Sequence, residues 1–244
     1  MKTLLLAGAA ALALCASGAA QAANNPVLNA AGVRGVGHPT HHVPPKDMVT
    51  LYDQNFASGS YGFFSQTLSS YPQYDEYLAD DFTVPAGHLW KVKEVDVTGF
   101  YYIASGPASS VNVLFWHNRA SRGLPRSLPP AKTECDNLTP TSGLSTGAFV
   151  LTLPTTCHAN FEGGTTGATY WVTVQANMQG PNTSGYWAWS SNNTENGNEA
   201  AGWWYGGGVT VNDPKCLTRF LGMTDCTGIG VDFAFALIGR DRLK

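Results

Sequence analysis

Aromatic and amide side chains are concentrated in one stretch of the sequence. The stretch contains several glycines together with Tyr186, Trp187, Trp189, Asn192, Asn193, Trp203, Trp204 and Tyr205. An aromatic ring can stack on the apolar face of a sugar, while amides hydrogen-bond the hydroxyls at its edge. The stretch therefore predicts a carbohydrate-binding site. The alternative is that Trp187 and Trp189, two apart and so on one strand face, fill the core, which is the more common role of such a pair.

Acidic side chains form a second concentration, at Asp75, Glu76, Asp80 and Asp81. Calcium prefers several oxygen ligands, so Asp80 and Asp81 are candidate calcium ligands, and calcium is the one cofactor that the sequence suggests. Adjacent residues of a strand point to opposite faces, so at most one of these two faces a given site. Solvated loop acids are the simpler interpretation. A glycosidase carboxyl pair is a further alternative.

The segment Gly143-Leu144-Ser145-Thr146-Gly147 matches the pattern around the nucleophile of serine hydrolases. That chemistry needs a sharp turn from a strand into a helix, and no helical periodicity follows this segment. We interpret the match as chance in a chain rich in glycine and serine. The histidines His88, His117 and His158 are scattered singly and predict no catalytic pair.

The elements that must position these residues have the pattern of strands. Apolar and other residues alternate in Val111, Val113 and Phe115 against Asn112, Leu114 and Trp116, and in Tyr170, Val172, Val174 and Ala176 against Trp171, Thr173, Gln175 and Asn177. This period of two predicts strands with one face toward a core. Val92, Val95 and Val97 keep the alternation only with an extra residue near Glu94, which predicts a β-bulge or a bend in the strand.

The composition indicates the same fold class. Charged residues make up only 13% of the chain, while glycine and proline number 27 and 14. Such a composition is typical of a turn-rich β protein. We predict an all-β fold, a two-sheet antiparallel β-sandwich that is jelly-roll-like and has about eight strands. It would form a single domain over residues 49–244.

The first part of the chain has the order of an export signal. Lys2 precedes an apolar run, and small residues follow, ending in Ala20-Gln21-Ala22. This order predicts a signal peptide over residues 1–22 and a mature terminus at Ala23. Cys15 raises the alternative of a lipid anchor, although the bulky residue before it disfavours that processing.

Residues 23–48 lack hydrophobic periodicity and predict a flexible leader. The leader holds His38, His41 and His42, which would bind a transition metal only adventitiously.

Seven short segments of the chain form a recognisable set. They are Leu51-Tyr52-Asp53-Gln54, Ala79-Asp80-Asp81-Phe82-Thr83-Val84-Pro85-Ala86-Gly87, Val95-Asp96-Val97-Thr98-Gly99, Ser105-Gly106-Pro107-Ala108, Gly123-Leu124-Pro125, Tyr170-Trp171-Val172-Thr173-Val174-Gln175-Ala176-Asn177 and Trp187-Ala188-Trp189. Together they resemble a group of secreted bacterial β-sandwich domains. The resemblance extends over about residues 51–239. It implies the fold and export of the chain more than any activity.

The charge distribution excludes two classes of partner. The net charge is −3, and no lysine or arginine occurs between Thr133 and Pro214. Nucleic acids and anionic membranes need a basic surface, so neither is expected as a partner. Beyond the signal, no apolar stretch has the length that crosses a bilayer.

Four cysteines follow the signal: Cys135, Cys157, Cys216 and Cys226. They allow three pairings in an oxidising compartment. We favour Cys135–Cys157 and Cys216–Cys226, because each pair is near in sequence and brackets a turn-rich stretch. Zinc is disfavoured, since no short Cys-x-x-Cys spacing is present.

Together these features predict a secreted, extracellular, non-catalytic binding protein whose partner is a polysaccharide or cell-surface glycan. The periplasm and the cell surface are alternative locations. A secreted glycosidase or peptidase and a structural envelope protein are the alternative functions.

Overall fold

The computed structural model describes residues 32–35, 37–38, 43–56, 59–104, 106–126, 131–180, 182–192, 194, 196–205 and 207–244. The predicted signal peptide 1–22 lies outside the described residues, as do His41 and His42.

The described part of the chain folds into eighteen strands, many of them short. The first nine are β1 (Val33–Arg34), β2 (Val49–Asp53), β3 (Tyr61–Phe64), β4 (Gln66–Leu68), β5 (Tyr77–Val84), β6 (His88–Val97), β7 (Gly99–Tyr102), β8 (Ser110–Arg119) and β9 (Leu124–Pro125). The other nine are β10 (Thr133–Leu138), β11 (Phe149–Thr152), β12 (Asn160–Glu162), β13 (Ala168–Met178), β14 (Tyr186–Asn192), β15 (Ala201–Trp203), β16 (Leu221–Gly222), β17 (Asp232–Phe233) and β18 (Phe235–Leu243).

Helical structure is minor among the described residues. One α-helix, α1 (Met223–Thr227), follows β16, and 3₁₀ turns occur at Pro72–Tyr74, Thr155–Cys157 and Pro214–Leu217. None of the helices in this part of the chain is long and apolar enough to cross a membrane.

The strands form three sheets. The largest has the order β10-β8-β13-β5-β15-β16, with β4 beside β13 and β9 beside β8. A second has the order β1-β3-β14-β17, with β7 also on β14, and the third has the order β11-β6-β18-β2, with β12 also on β6. The pairings are antiparallel except for β4 with β13.

The two smaller sheets are joined into one layer. The Thr98 amide donates to the Ala234 carbonyl at 3.1 Å, and the Ser190 amide donates to the Thr98 carbonyl at 2.9 Å. The Ala234 amide donates to the Ser190 carbonyl at 2.9 Å. Thr98 lies between β6 and β7, Ala234 lies between β17 and β18, and Ser190 is part of β14. The bonds therefore join the two smaller sheets where these strands meet, and the large sheet faces a single continuous layer.

The main core lies between these two layers. Val113, Phe115 and Val174 of the large sheet pack in one buried cluster with Val95 and Leu237 of the opposite layer. The alternation in β8 and β13 therefore placed the correct residues in the core, and the all-β, sandwich-like fold is confirmed. The structure has more strands than the about eight predicted, because a strand of two to four residues is too short to show alternation.

The predicted bulge in β6 is confirmed. Ile238 pairs with Glu94 and the next residue, Gly239, pairs with Val92, so Lys93 is the extra residue. The bulge lets Val92 and Val95 both face the core.

The predicted leader is ordered in part. Within residues 23–48, β1 pairs with β3, with Val33 opposite Gly62. The Gly37 amide donates to the Ser190 hydroxyl at 3.0 Å. The flexible-leader prediction is corrected for these positions, where backbone pairing supplies order without hydrophobic periodicity.

Both predicted disulfides are present, Cys135–Cys157 and Cys216–Cys226. The first joins β10 to the 3₁₀ turn before β12, and the second joins the third 3₁₀ turn to α1.

Candidate functional site

Three of the predicted ligand-binding aromatics lie on β14, inside the core. Tyr186, Trp187 and Trp189 are 0% exposed. The indole N–H groups of the two tryptophans donate to backbone carbonyls at 2.8 and 2.9 Å. Their ring faces are covered, since Trp187 stacks on Phe149 and Trp189 stacks on Phe233. These three side chains present no face to a ligand, which corrects the prediction made for them.

The position of β14 explains this burial. The strand is paired with β3, β7 and β17, and each of its residues is buried. Asn192, at its end, donates from Nδ2 to the Gln54 carbonyl at 3.1 Å and is also buried. Trp204 is 1% exposed and belongs to the main core. Asn192 and Trp204 therefore join the correction, while Asn193 lies outside the described residues.

Trp203 and Tyr205 are placed differently, because they line a groove on the outer face of the large sheet. The groove has a volume of about 330 Å³. Its lining is Thr67, Tyr77, Asn112, Leu114, Trp116, Glu134, Asp136, Gln175, Trp203 and Tyr205. We call these ten residues the outer groove. It is the candidate binding site.

Strand register brings these residues together. Glu134 of β10 is opposite Leu114 of β8, and Asn112 of β8 is opposite Gln175 of β13. Trp203 of β15 is opposite Tyr77 of β5. Paired residues of antiparallel strands project from the same face, so the outer groove collects side chains from across the sheet.

The outer face of the sheet has its own apolar cluster beneath and beside the groove. Leu114, Trp116 and Trp203 belong to it, together with Trp171 and Phe220. Phe220 packs in T-shaped geometry against both Trp116 and Trp203, at centroid distances of 5.3 and 5.6 Å. This packing fixes the floor of the groove, as a preformed ligand site requires.

Three aromatic rings form one wall of the groove. Tyr77 stacks on Trp203 with centroids 5.4 Å apart and an interplanar angle of 28°. Tyr205 stands at 89° to Trp203 at 5.3 Å and is 62% exposed. The rings form a corner with one well-exposed member. Stacking on a sugar requires such an accessible ring face.

The electrostatics of the groove are negative. Glu134 and Asp136 are exposed on β10, and no lysine, arginine or histidine is among the lining residues. The pKa of Tyr77 is raised, first by burial and then by the nearby carboxylates Asp75, Glu134 and Asp136. Lys132 is directed elsewhere, since its Nζ donates to the Asn160 carbonyl at 2.8 Å.

Asp80 and Asp81, the candidate calcium ligands, are both buried. Asp80 accepts from Gln54 Nε2 at 2.7 Å, from the Phe233 amide at 2.5 Å and from the Asp81 amide at 2.8 Å. Asp81 accepts from Asn198 Nδ2 at 2.6 Å. Because N–H donors occupy these carboxyl oxygens, the arrangement does not fit a cation.

The solvated-acid and calcium-ligand interpretations of this pair are both wrong, since the two carboxyls are buried and hydrogen-bonded to N–H donors. The glycosidase alternative does not fit Asp80 and Asp81 either, because the two side chains point to opposite faces of the strand. No group of three metal-ligating side chains occurs among the described residues. The predicted opposite orientation is confirmed: neighbouring Phe82 lies in the main core and Ala79 in the outer cluster. Burial, with Asp232 as the next cause, raises the pKa of Asp80 well above its ordinary value.

The serine-hydrolase-like segment forms a turn before β11, and no helix follows it. The structure therefore lacks the strand-to-helix elbow that such a nucleophile needs.

Sequence reasoning missed most of the outer groove, including Tyr77, Trp116, Glu134, Asp136 and Gln175. One signal was present. The outward positions of β8 and β13 carry Leu114, Trp116 and Trp171, which are unusually apolar for a solvent-facing row. That row indicates a covered or ligand-binding outer face.

Comparisons with protein-family models, curated proteins and solved structures find no match to this chain. The resemblance to secreted bacterial β-sandwich domains therefore stays a prediction.

Proposed function

We propose that this protein is a secreted, non-catalytic binding protein that recognises extracellular carbohydrate or cell-surface glycan through the outer groove. The observation that carries the proposal is the aromatic corner of Tyr77, Trp203 and Tyr205, set beside polar side chains on a rigid sheet. A sugar ring stacked on Tyr205 would bring its hydroxyls toward Gln175, Glu134 and Asp136.

Secretion is the second part of the proposal. It is supported by the signal-like order of residues 1–22 and by the two disulfides. Disulfides persist in exported proteins and are rare in reducing compartments.

The binding proposal is tested by retention on a panel of insoluble and gel-embedded polysaccharides. We expect Tyr205→Ala to weaken retention about tenfold, which corresponds to about 1.4 kcal/mol. Tyr102→Ala is the matched control, because Tyr102 is an exposed tyrosine on β7, outside the groove. Equal losses in both variants, or no retention of the parent protein on any member of the panel, would contradict the proposal and leave the structural envelope role.

A second candidate function, glycoside hydrolysis, is favoured by one observation. Glu134 and Asp136 are two residues apart on β10 and both line the groove. Residues i and i+2 of a strand are about 6.6 Å apart along its axis. Glycosidase carboxyl pairs are separated by about 5–10 Å.

Release of reducing ends from the retained polysaccharide distinguishes the two functions. Hydrolysis that is lost in Glu134→Gln or Asp136→Asn would establish the enzyme. Retention without release is the result expected of a binding protein.

A further inference from the structure

Three polar side chains of the outer groove each donate a hydrogen bond within the protein. Asn112 Nδ2 donates to Asn177 Oδ1 at 3.0 Å, and the Thr67 hydroxyl donates to the same oxygen at 2.6 Å. Gln175 Nε2 donates to the Glu76 carbonyl at 2.8 Å. A neutral sugar presents hydroxyls that both donate and accept. These internal bonds reduce the number of donors that Thr67, Asn112 and Gln175 can offer to such a ligand.

The charged groups of the groove are two carboxylates. Glu134 and Asp136 are exposed side by side on one strand face, because Cys135 between them points away into its disulfide with Cys157. Ionised carboxylates only accept hydrogen bonds. Two of them without a basic neighbour in the groove attract a group that only donates, namely an ammonium.

The aromatic corner favours the same kind of group. The face of an aromatic ring is electronegative and attracts a cation held within about 6 Å of its centre. Trp203 and Tyr205 stand nearly perpendicular, so a cation in the corner lies over one face and beside the other ring. The corner and the two carboxylates line the same groove.

The indole nitrogen of Trp203 favours a ligand that also has oxygen atoms. Trp203 is 6% exposed and lines the groove, and its Nε1 has no hydrogen-bond partner among the described residues. A buried N–H without an acceptor is costly. A hydroxyl or ring oxygen of a ligand would supply that acceptor.

We propose that the outer groove selects polysaccharide whose sugar units carry free, protonated amino groups. The ammonium would be bound by Glu134, Asp136 and the face of the exposed Tyr205 ring, while the sugar ring stacks in the same corner. The inference rests on the proposed carbohydrate-binding function and narrows it to one class of ligand.

The test compares glucosamine oligosaccharides with N-acetylglucosamine oligosaccharides of equal length by isothermal titration calorimetry. At about pH 6, free amino groups are protonated, whereas acetylated ones carry no charge. We expect the free-amine oligosaccharide to bind at least about tenfold more tightly, with the preference weakening as salt screens the charges. Glu134→Gln and Asp136→Asn should each reduce that preference several-fold.

Two controls exclude general attraction between a polycation and an acidic protein. Glu162→Gln removes an exposed carboxylate outside the groove and should leave the preference intact. Polylysine of matched charge should bind more weakly than the oligosaccharide, because it has no sugar ring to stack in the aromatic corner. Equal binding of polylysine, or an equal effect of Glu162→Gln, would overturn the inference.

The remaining outcomes separate this inference from the function on which it rests. Binding of the acetylated or another neutral polysaccharide, sensitive to Tyr205→Ala but without preference for the amine, would overturn the inference and leave carbohydrate binding standing. Binding of neither oligosaccharide and of no polysaccharide in the panel would overturn both.

Discussion

A substitution of Trp187 tests whether the aromatic residues of β14 belong to the core and not to a binding site. Its ring is wholly buried and stacks on Phe149 at 5.2 Å. We expect Trp187→Ala to lower the free energy of unfolding by about 3–5 kcal/mol, since a large cavity replaces the ring. Urea denaturation measures the change.

The control for that substitution is the exposed Tyr205. Tyr205→Ala should change the free energy of unfolding by no more than about 0.5 kcal/mol, as expected at an exposed position. The assignment of Trp187 to the core would be wrong if Trp187→Ala left the free energy of unfolding unchanged while it reduced glycan retention.

Asp81 makes stability depend on pH. Burial raises its pKa to about 6, and hydrogen bonds from Asn198 oppose the shift. Because this folded-state pKa lies above the ordinary value of 3.8, the folded protein holds the proton more tightly than the unfolded chain does. The stability that the proton supplies is present below about pH 4 and is lost as the pH rises toward about 6.

The variant Asp81→Asn is expected to remove this contribution. Between about pH 4 and about pH 6, the free energy of unfolding should fall by about 1–2 kcal/mol less in this variant than in the parent protein. Asp80 and Glu76 also have raised pKa values through burial and remain in both proteins. The Asp81 charge also helps to raise the pKa of Asp80, so the difference between the two pH profiles reports Asp81 together with its effect on Asp80. Parallel profiles would show that Asp81 does not titrate in this range.

At the scale of elements, the disulfides hold segments with little regular structure. Cys216–Cys226 closes a loop between a 3₁₀ turn and the five-residue helix α1, with a sequence separation of 10. Cys135–Cys157 has a separation of 22 and anchors β10, the strand that carries Glu134 and Asp136. Cross-links of this loop size each stabilise a fold by about 3 kcal/mol.

The pair of substitutions Cys135→Ser and Cys157→Ser should therefore lower stability by about 3 kcal/mol and loosen β10 at the groove. The corresponding Cys216 and Cys226 double variant is the comparison, since it should lower stability by a similar amount. Hydrogen exchange is expected to rise in β10 for the first double variant and around α1 for the second. Faster exchange in β10 for both would contradict this local assignment.

Element packing also explains why the aromatic stretch separates into two environments. Strand β14 pairs with β3, β7 and β17 in the layer opposite the large sheet, whereas β15 adds to the large sheet beside β5. The loop between them carries the chain from one layer to the other. Trp189 and Trp203, which are consecutive tryptophans in the sequence, thus belong to different sheets.

At the scale of the whole molecule, a single core between two layers leaves the outer face of the large sheet for another role. That face is not simply solvated, because Trp116 and Trp171 are 3% and 0% exposed beneath Trp203 and Phe220. The covering is incomplete near Glu134 and Asp136, and the outer groove lies there. A rigid sheet supports the groove, so binding needs little reorganisation of the backbone.

The sequence by itself determined the features that depend on near neighbours. Alternation in Val111–Phe115 and in Tyr170–Ala176 identified the core faces, the irregular spacing of Val92, Val95 and Val97 predicted the bulge, and proximity predicted both disulfides. Each of these patterns spans no more than about two dozen residues, so local geometry is enough to interpret it.

Only the tertiary structure decided which aromatics are available to a ligand. Tyr186, Trp187 and Trp203 all lie in the same aromatic-rich stretch of the sequence. The first two are on β14 and are fully buried, whereas Trp203 is on β15 and lines the outer groove. The groove unites residues from Thr67 to Tyr205, brought together by strand pairing over long separations. The composition shows that aromatic residues are present. Whether each of them is buried depends on which strands pack over it, and the arrangement of the strands is decided by the packing of the whole chain.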